Sequence, residues 1–215
     1  AVNVNQLSKK VIEVRADIGF AFDGDGDRLI VVDEKGNEVD GDKIIALFAT
    51  HLLKSQKNKS KFPVITTVMS NLGFEKYLLN NLNIKLRRSS VGDINVIKEM
   101  SKFNSYLGGE QSGHIILSEF SKTGDGILAA LKVTEIISKA KKLSSYVFNL
   151  YESYPQVKIN IPYKNINSKS LKYIKNLNKK KLNEKNIRIL VRVSGTEPLI
   201  RILVEGSNLK KVQNY

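Results

Sequence analysis

The spacing of apolar residues along the chain changes several times between the period of a strand and that of a helix. Ile18, Phe20 and Phe22 alternate with smaller residues. The run Leu29–Val32 is continuously apolar, and Lys35–Asn37 has the composition of a turn. Together these features predict a β-hairpin near the start of the chain.

Helical and strand patterns then alternate up to about residue 150. The segments with helical spacing are 42–54, 74–82, 94–103 and 125–141, the last with Asp125 as its N-cap. The segments that read as strands are 64–69, 84–87 and 106–117, the last interrupted by Gly108–His114. Such alternation is typical of a parallel-type sheet between two layers of helices. We therefore expect a three-layer α/β domain over residues 41–150.

The pattern changes after residue 150. A strand is predicted at 157–161, a Lys- and Asn-rich stretch with helical character follows, and two more strands are predicted at 187–193 and 199–205. The fold class is thus α/β with a small α+β domain at residues 151–215. The hairpin lies apart from both domains, in residues 1–40.

The composition is that of an ordinary globular protein. Of the 215 residues, 41% are hydrophobic and 26% are charged, which argues against disorder. The chain contains no cysteine, and this excludes disulfides, thiolate zinc sites and cysteine nucleophiles. There is neither an apolar run of membrane-spanning length nor a signal-peptide pattern, so we expect a cytoplasmic chain without membrane association.

The net charge of +14 raises the question of nucleic-acid binding. Lysine is densest in the polar stretches 54–61 and 172–185, which lack aromatic residues at stacking spacing. Zinc-finger, RRM and KH signatures are absent from the sequence. We therefore expect no nucleic-acid partner, whereas an anionic small molecule remains compatible with the charge.

Three carboxylates stand close together in the first predicted hairpin. Asp23, Asp25 and Asp27 are separated only by glycine, and without a counter-charge their mutual repulsion would raise their pKa values. A divalent cation removes this cost, and oxygen ligands suit Mg²⁺, Ca²⁺ or Mn²⁺. Arg28 follows directly and could hold a phosphate oxygen beside such a metal.

Two other interpretations of this loop are an EF-hand and an acidic surface turn. The carboxylate spacing fits an EF-hand, but Arg28 stands where that loop needs glycine, and the flanking segments are predicted strands. The surface turn stays open on the sequence alone, although Arg28 favours a working site.

Gly109–His114 interrupts a predicted strand with groups suited to sugar hydroxyls. Glu110 accepts hydrogen bonds, Ser112 accepts or donates, and the imidazole of His114 offers two ring nitrogens that can do either. A polar loop with a surface histidine is the ordinary alternative. Val91–Asp93 is a weaker signal, because Asp93 could simply be a helix N-cap.

A second anion-binding pattern lies near the end of the chain. Ser194, Gly195 and Thr196 offer two hydroxyls and consecutive backbone N–H groups, a composition typical of an anion nest. Arg192 and Arg201 bracket them with guanidinium groups suited to bidentate phosphate contacts. An ordinary hairpin turn is the alternative.

Taken in order, these motifs resemble the α-D-phosphohexomutase family. The matching segments are Asp23–Arg28, Val91–Asp93, Gly109–His114, Thr123–Gly126 and Arg192–Arg201. Gln111 and the sequence Ser-Gly-Thr-Glu-Pro at 194–198 resemble the glucosamine-specific branch of the family. The resemblance implies reversible interconversion of glucosamine 6-phosphate and glucosamine 1-phosphate, with a phosphoserine as donor, Mg²⁺ as cofactor and glucosamine 1,6-bisphosphate as intermediate and activator.

The resemblance also assigns roles to individual residues. Those it implies as Mg²⁺ ligands are Asp23, Asp25 and Asp27, and those it implies as catalytic are Arg28 and His114. Those implied to bind the sugar are Gly92, Asp93, Glu110 and Ser112. Those implied to bind the non-reacting phosphate are Arg192, Ser194, Gly195, Thr196 and Arg201. The implied partner is a phosphosugar substrate.

The resemblance covers only the C-terminal half of the family's four-domain architecture. Residues 1–40 match the end of the second domain, and the loop that carries the phosphoserine has no counterpart. Ile94-Asn95 stand where the family usually has Arg-Tyr. Two classes of function remain open: a fragment of a mutase, and a non-catalytic phosphosugar-binding module or one half of a split enzyme, whose partner would be the missing N-terminal half.

Overall fold

The structure is a computed structural model. It describes residues 3–53, 61–164, 167–177, 187–194 and 197–214, without the side chains of residues 168, 171 and 175–177. The chain forms two compact units. The first comprises Ala1–Ser70 and Phe74–Glu152, and the second comprises Asn71–Gly73 and Ser153–Tyr215.

The helices up to Glu152 are Asn5–Val14 (α1), Gly41–Phe48 (α2), Leu72–Leu82 (α3), Asp93–Phe103 (α4), Gly126–Ala140 (α5) and Ser144–Phe148 (α6). A π-helical turn, Ala49–Leu53, continues α2. The strands of the same region are Ile18–Phe22 (β1), Leu29–Asp33 (β2), Glu38–Val39 (β3), Val64–Thr67 (β4), Leu86–Ser89 (β5), Leu107–Gly109 (β6) and Ile115–Leu117 (β7).

Two sheets form the first unit. In one, β1, β2 and β3 pair antiparallel, which confirms the predicted hairpin. The other has the order β5-β4-β6-β7, with β4 parallel to β5 and β6. The strand predicted at 106–117 is two strands, since its interruption turns the chain back and β7 pairs antiparallel with β6. The parallel-type sheet is confirmed, with this one antiparallel edge.

Helices pack on both faces of the four-stranded sheet. Val64 of β4 belongs to the large core cluster that includes residues of α2, α3 and α5. Its neighbour Ile65 belongs to a smaller cluster with Val96 and Met100 of α4. Because successive strand residues point to opposite faces, these two clusters lie on opposite sides of the sheet. This is the predicted three-layer arrangement.

Several boundaries differ from the predicted ones. Helix α1 was not predicted, because it is amphipathic but short of apolar residues and only Val11 is buried. The strand predicted at 84–87 lies two residues later, since Ile84 is fully buried in the large core cluster and does not enter the sheet. The strand predicted at 64–69 ends at Thr67. Asp125 caps α5 as predicted, accepting from the Leu128 N–H at 2.9 Å.

The second unit contains a three-stranded antiparallel sheet of order β8-β10-β9. Its elements are Gln156–Pro162 (β8), Ser168–Leu177 (α7), Ile187–Val193 (β9), Leu199–Gly206 (β10) and Leu209–Gln213 (α8). Glu205 is fully buried and accepts from Arg188 and, at 2.7 Å, from the Gln156 amide. The small α+β C-terminal domain is thus confirmed. Among the helices described in either unit, none is long and apolar enough to cross a membrane.

Glu34 ties the β2–β3 turn to the start of α6. Its Oε2 accepts from the Ser145 N–H at 2.7 Å and lies 2.7 Å from the Ser144 hydroxyl, and its Oε1 accepts from the Ser145 hydroxyl. Burial works to raise the pKa of Glu34, but the hydrogen bonds from Ser145 and Ser144 outweigh it and lower that pKa to about 2. The anion of Glu34 is therefore stabilised in the folded chain.

We expect Glu34→Gln to lower the free energy of unfolding at pH 7 by about 1.5–3 kcal/mol, the range for hydrogen bonds to a charged group. Because the pKa of Glu34 is lowered by folding, this contribution is fully present above the ordinary value of 4.5 and is lost as the pH falls towards about 2. Urea unfolding followed by circular dichroism between pH 7 and pH 2.5 measures it.

The matched control is Glu38→Gln, at an exposed carboxylate on the same hairpin. It should change stability by less than about 0.5 kcal/mol. A stability difference between the wild type and Glu34→Gln that is constant over the whole pH range would contradict the prediction.

Candidate active site

The loop between β1 and β2 brings three carboxylates together. One oxygen from each of Asp23, Asp25 and Asp27 lies within 4.8 Å of the others. Gly26 makes the turn possible, since its φ of 74° is in the region that favours glycine. Its N–H donates to the Asp23 carbonyl at 3.2 Å. The acidic residues therefore converge, as a metal site requires.

The loop is not an EF-hand. It lies at the tip of a β-hairpin, whereas an EF-hand loop is flanked by two helices. Arg28, in the place of the EF-hand glycine, donates its backbone N–H to Asp23 Oδ1 at 3.1 Å. Its Nε lies 3.4 Å from Asp23 Oδ2.

The carboxylates of this loop differ in how well their charge is compensated. Burial works to raise the pKa of Asp23, but hydrogen bonds from the Arg28 N–H and from the side chain of Asp27, together with the charge of Arg28, outweigh it and lower that pKa. The pKa of Asp27 is raised, first by burial and then by the charges of Asp23 and Asp25, against the attraction of His114. A divalent cation would supply the compensation that Asp27 lacks, so the donor set fits such a metal.

His114 is buried against this loop, with 3% of its surface exposed. Its Nδ1 lies 3.0 Å from Asp27 Oδ2. Its Nε2 is also buried and has no hydrogen-bond partner among the residues that the structure describes. The alternative of a surface histidine in a polar loop is therefore wrong.

Backbone pairing joins the β6–β7 loop to the carboxylate loop. Arg28 and His114 form an antiparallel β-bridge, and the Leu29 N–H donates to the Gly113 carbonyl at 2.9 Å. The position of the histidine beside Asp27 thus follows from main-chain hydrogen bonds of both hairpins.

Glu110 connects this loop to the start of α4. Its Oε1 accepts from the Gly92 N–H at 3.0 Å, and its Oε2 lies 3.3 Å from the Ser112 hydroxyl. Asp93 is not the N-cap of α4: the cap position is Gly92, and Asp93 is the first helical residue, with an exposed side chain. Ile94, where the family usually has arginine, is 60% exposed.

A cleft of about 440 Å³ lies beside Glu110 and Ser112. The other residues that line it are Glu38, Asp40, Thr67, Met69, Val91 and Gln111. Sequence reasoning missed Thr67 and Met69, although Thr67 ends the parallel strand β4 and Met69 lies two residues beyond it, at the edge where ligands of open α/β sheets bind. It also missed Asp40, which caps α2 through the Lys43 N–H at 3.0 Å and accepts from the Gln111 amide at 3.2 Å.

The predicted phosphate-binding residues belong to the second unit. Arg192 of β9 and Arg201 of β10 are direct cross-strand partners. The pKa of Arg192 is lowered by burial and by the positive charge of Arg201. Arg201 pairs with Glu197 through one guanidinium nitrogen, while its buried Nε has no hydrogen-bond partner in the described part of the chain.

The nest predicted between these arginines is only partly described. The Ser194 N–H donates to the Leu199 carbonyl at 2.8 Å, which closes the hairpin. Gly195 and Thr196 lie outside the described residues, so their role stays a prediction. Two arginines side by side are a pair of like charges that an anion would stabilise.

Comparison with known proteins places the chain in a family. It matches the models of the phosphoglucomutase/phosphomannomutase alpha/beta/alpha domain II over residues 1–36, alpha/beta/alpha domain III over 40–154 and C-terminal domain over 159–215. The chain therefore belongs to the phosphoglucomutase/phosphomannomutase family, which confirms the resemblance read from its motifs.

Two relatives that are similar over nearly the whole chain are named phosphoglucosamine mutase. That of Sulfurovum sp. is 45% identical over 215 residues, covering 99% of this chain and 47% of the relative. That of Fusobacterium nucleatum is 45% identical over 213 residues, covering 96% and 46%. The chain thus spans about half the length of the relatives it matches.

Solved structures of the family share the fold. A phosphoglucomutase/phosphomannomutase family protein of Burkholderia thailandensis has a TM-score of 0.82 at 22% identity, covering 99% of this chain and 47% of the other. An N-acetylphosphoglucosamine mutase of Aspergillus fumigatus, solved in complex with GlcNAc-6P and magnesium, has a TM-score of 0.69 at 19% identity, covering 91% and 50%.

The carboxylate loop should bind Mg²⁺ weakly in this chain by itself, with a dissociation constant of about 1 mM. Three carboxylates are a small ligand set, and Mg²⁺ gives up its water reluctantly. Asp25→Asn should abolish measurable binding, because it removes one of three charged ligands. Isothermal titration calorimetry with Mg²⁺ checks both expectations.

Asp93→Asn is the control, since Asp93 is an exposed carboxylate outside the loop. It should bind Mg²⁺ as the wild type does. Micromolar affinity in the isolated wild-type chain would show that the ligand set is more complete than three carboxylates.

Proposed function

We propose that the chain is the C-terminal half of a phosphoglucosamine mutase and supplies the metal, sugar and phosphate sites for the interconversion of glucosamine 6-phosphate and glucosamine 1-phosphate. The observation that carries this proposal is the convergence of Asp23, Asp25 and Asp27 beside Arg28 and His114. The 45% identity to proteins named phosphoglucosamine mutase supports the choice of substrate.

We propose the domain boundaries that the family resemblance implies. Residues 1–40 would be the end of the second mutase domain with the metal loop, 41–150 the sugar-binding domain and 151–215 the phosphate-binding domain. Matches to the three domain models over 1–36, 40–154 and 159–215 support this division.

Phosphoryl transfer requires positioning and neutralisation of negative charge. Asp23, Asp25 and Asp27 would hold Mg²⁺, which when bound stabilises charge on the transferring phosphoryl group. Arg28 is proposed to contact a phosphoryl oxygen. The Arg28 side chain is 42% exposed, so its guanidinium is accessible. The Arg28 backbone N–H donates to Asp23, which fixes the position from which the side chain extends.

His114 is proposed to serve the reaction through Asp27. With Nδ1 at 3.0 Å from Asp27 Oδ2, the imidazole holds this carboxylate in one orientation. The proton-transfer role that the family resemblance implies stays a prediction, because it requires Nε2 to reach the substrate.

Glu110 and Ser112 are proposed to bind the sugar hydroxyls at the 440 Å³ cleft. Gly92 and Asp93, which follow the cleft residue Val91 in the chain, are proposed to bind the sugar with them. Glu110 is oriented by the Gly92 N–H and retains acceptor capacity, since a carboxylate accepts about four hydrogen bonds. Arg192, Ser194, Gly195, Thr196 and Arg201 are proposed to bind the phosphate that does not react. Mutual repulsion of Arg192 and Arg201, which an anion would relieve, supports this assignment.

A second candidate is a phosphosugar-binding module or half of a split mutase. Both candidates are compatible with a chain that spans about half the length of the relatives it matches. In either case the proposed partner is an N-terminal half that carries the phosphoserine, on the same polypeptide or on a separate one.

Arg192→Ala should weaken binding of glucosamine 6-phosphate by about 1.5–3 kcal/mol, the range for hydrogen bonds to a charged group. Arg192→Lys should restore only part of the loss, because the fork geometry is missing. Ligand-detected NMR on the purified chain measures the affinities. Lys158→Ala, an exposed cation on β8, is the control for a simple loss of charge. Equal weakening by Arg192→Ala and Lys158→Ala would refute the assignment of Arg192.

The chain alone should not interconvert glucosamine phosphates, even with Mg²⁺ and glucosamine 1,6-bisphosphate, because the bisphosphate must hand its phosphoryl group to a serine that the chain lacks. A coupled assay on the purified chain checks this. Activity that appears when an N-terminal half is added in trans would favour the mutase over the binding module. Turnover by the chain alone that Asp25→Asn removes would show that another nucleophile exists.

A further inference from the structure

The segment Thr123–Gly126, which leads from β7 into the first residue of α5, touches the candidate active site at two glycines. At Gly124, an added Cβ would lie 2.3 Å from Cε1, 2.4 Å from Nε2 and 2.7 Å from Cδ2 of His114. These distances are far below van der Waals contact. The backbone of Gly124 therefore lies directly against the part of the ring formed by Cε1, Nε2 and Cδ2.

Gly126 makes the corresponding contact with the carboxylate loop. Its N–H donates to the Gly26 carbonyl at 3.0 Å. An added Cβ would lie 2.6 Å from the Arg28 carbonyl oxygen and 2.8 Å from the Gly26 carbonyl oxygen. Because these neighbours are backbone atoms, the loop itself would have to move to admit a side chain.

The segment is held in place independently of these contacts. The Asp125 N–H donates to the Ile115 carbonyl of β7 at 3.3 Å, and the Asp125 carboxylate caps α5. The segment is thus anchored to a sheet and to a 15-residue helix. A side chain added at Gly124 or Gly126 would therefore displace the ring of His114 or the carboxylate loop, and not the segment itself.

We propose that Gly124 and Gly126 are positioning residues of the carboxylate site: Gly124 holds the His114 imidazole against Asp27, and Gly126 holds the Gly26–Arg28 turn against the start of α5. The ring of His114 is then held by two neighbours, Asp27 at Nδ1 and Gly124 at Cε1, Nε2 and Cδ2. This inference rests on the proposed metal-binding role of the loop, but its geometric part does not.

The experiment is a double-mutant cycle of Gly124→Ala and His114→Ala, read by two measurements. The first is Mn²⁺ affinity of the purified chain by electron paramagnetic resonance. The second, on the variants that keep His114, is the imidazole ¹³C and ¹⁵N resonances, which are readily assigned because the chain has only 2 histidines. His51 serves as the internal reference. Thr123→Ala, at an exposed neighbour in the same segment, is the control.

Gly124→Ala should shift the His114 resonances but not those of His51, and should weaken Mn²⁺ binding about tenfold, the lower end for removing an outer-shell partner of a metal ligand. In the His114→Ala background, Gly124→Ala should cause no further loss, since the atoms with which it clashes are gone. Gly126→Ala should weaken Mn²⁺ binding in both backgrounds, because it acts on the loop backbone. Thr123→Ala should bind as the wild type does.

Unshifted His114 resonances in Gly124→Ala, or an equal loss of Mn²⁺ affinity in both backgrounds, would overturn the role of Gly124. A Gly124→Ala chain that folds only when His114 is also replaced would support it, and one that folds in neither background would overturn it. If the wild type binds no Mn²⁺, the metal site of the proposed function fails, while the resonance shift still decides whether Gly124 positions the ring.

Discussion

Repulsion among three carboxylates on one short loop is the constraint around which the candidate site of the first unit is arranged. Asp23, Asp25 and Asp27 are brought within 4.8 Å of one another, a geometry that is costly unless each charge is compensated. The fold supplies part of this compensation. Asp23 receives the backbone N–H and the guanidinium of Arg28, and Asp27 receives the imidazole of His114. Burial and the charges of Asp23 and Asp25 nevertheless raise the pKa of Asp27 against the attraction of His114.

The groups that compensate these charges lie on two hairpins whose backbones are hydrogen-bonded to each other. The β1–β2 hairpin provides the carboxylates and Arg28, and the β6–β7 hairpin provides His114 and Glu110. A β-bridge between Arg28 and His114 joins them, so the residues proposed to bind the metal and those proposed to bind the sugar lie on two loops that are connected through the backbone. Glu110 extends this arrangement to the start of α4 through the Gly92 N–H.

In the second unit the same principle acts with the opposite sign. Arg192 and Arg201 stand opposite each other on neighbouring strands, and burial together with the charge of Arg201 lowers the pKa of Arg192. Glu197 compensates Arg201 in part. A metal ion would stabilise the acidic cluster of the first unit, and a phosphorylated substrate would stabilise the basic cluster of the second. This is the physical sense in which the two units support one proposed function.

The sequence by itself determined the class of the fold and most of the candidate site. Apolar periodicity is a local property, and it predicted the first hairpin, the helices α2–α5 and the strands of the C-terminal sheet. Motif spacing predicted the convergence of the three aspartates, because two intervening glycines leave the loop free to curl. Elements with a weak apolar pattern, such as α1, were missed for the same reason.

Only the tertiary structure decided which loops meet. Periodicity could not show that the strand predicted at 106–117 folds back on itself, and this turn is what places His114 beside Asp27. The tertiary structure also buries His114 and places Thr67 and Met69 in the cleft with Glu110. It brings Gly124 against the imidazole of His114. These contacts are made between different elements of the chain. Such contacts depend on how sheets and helices pack, and a sequence pattern read over ten or fifteen residues holds no information about them.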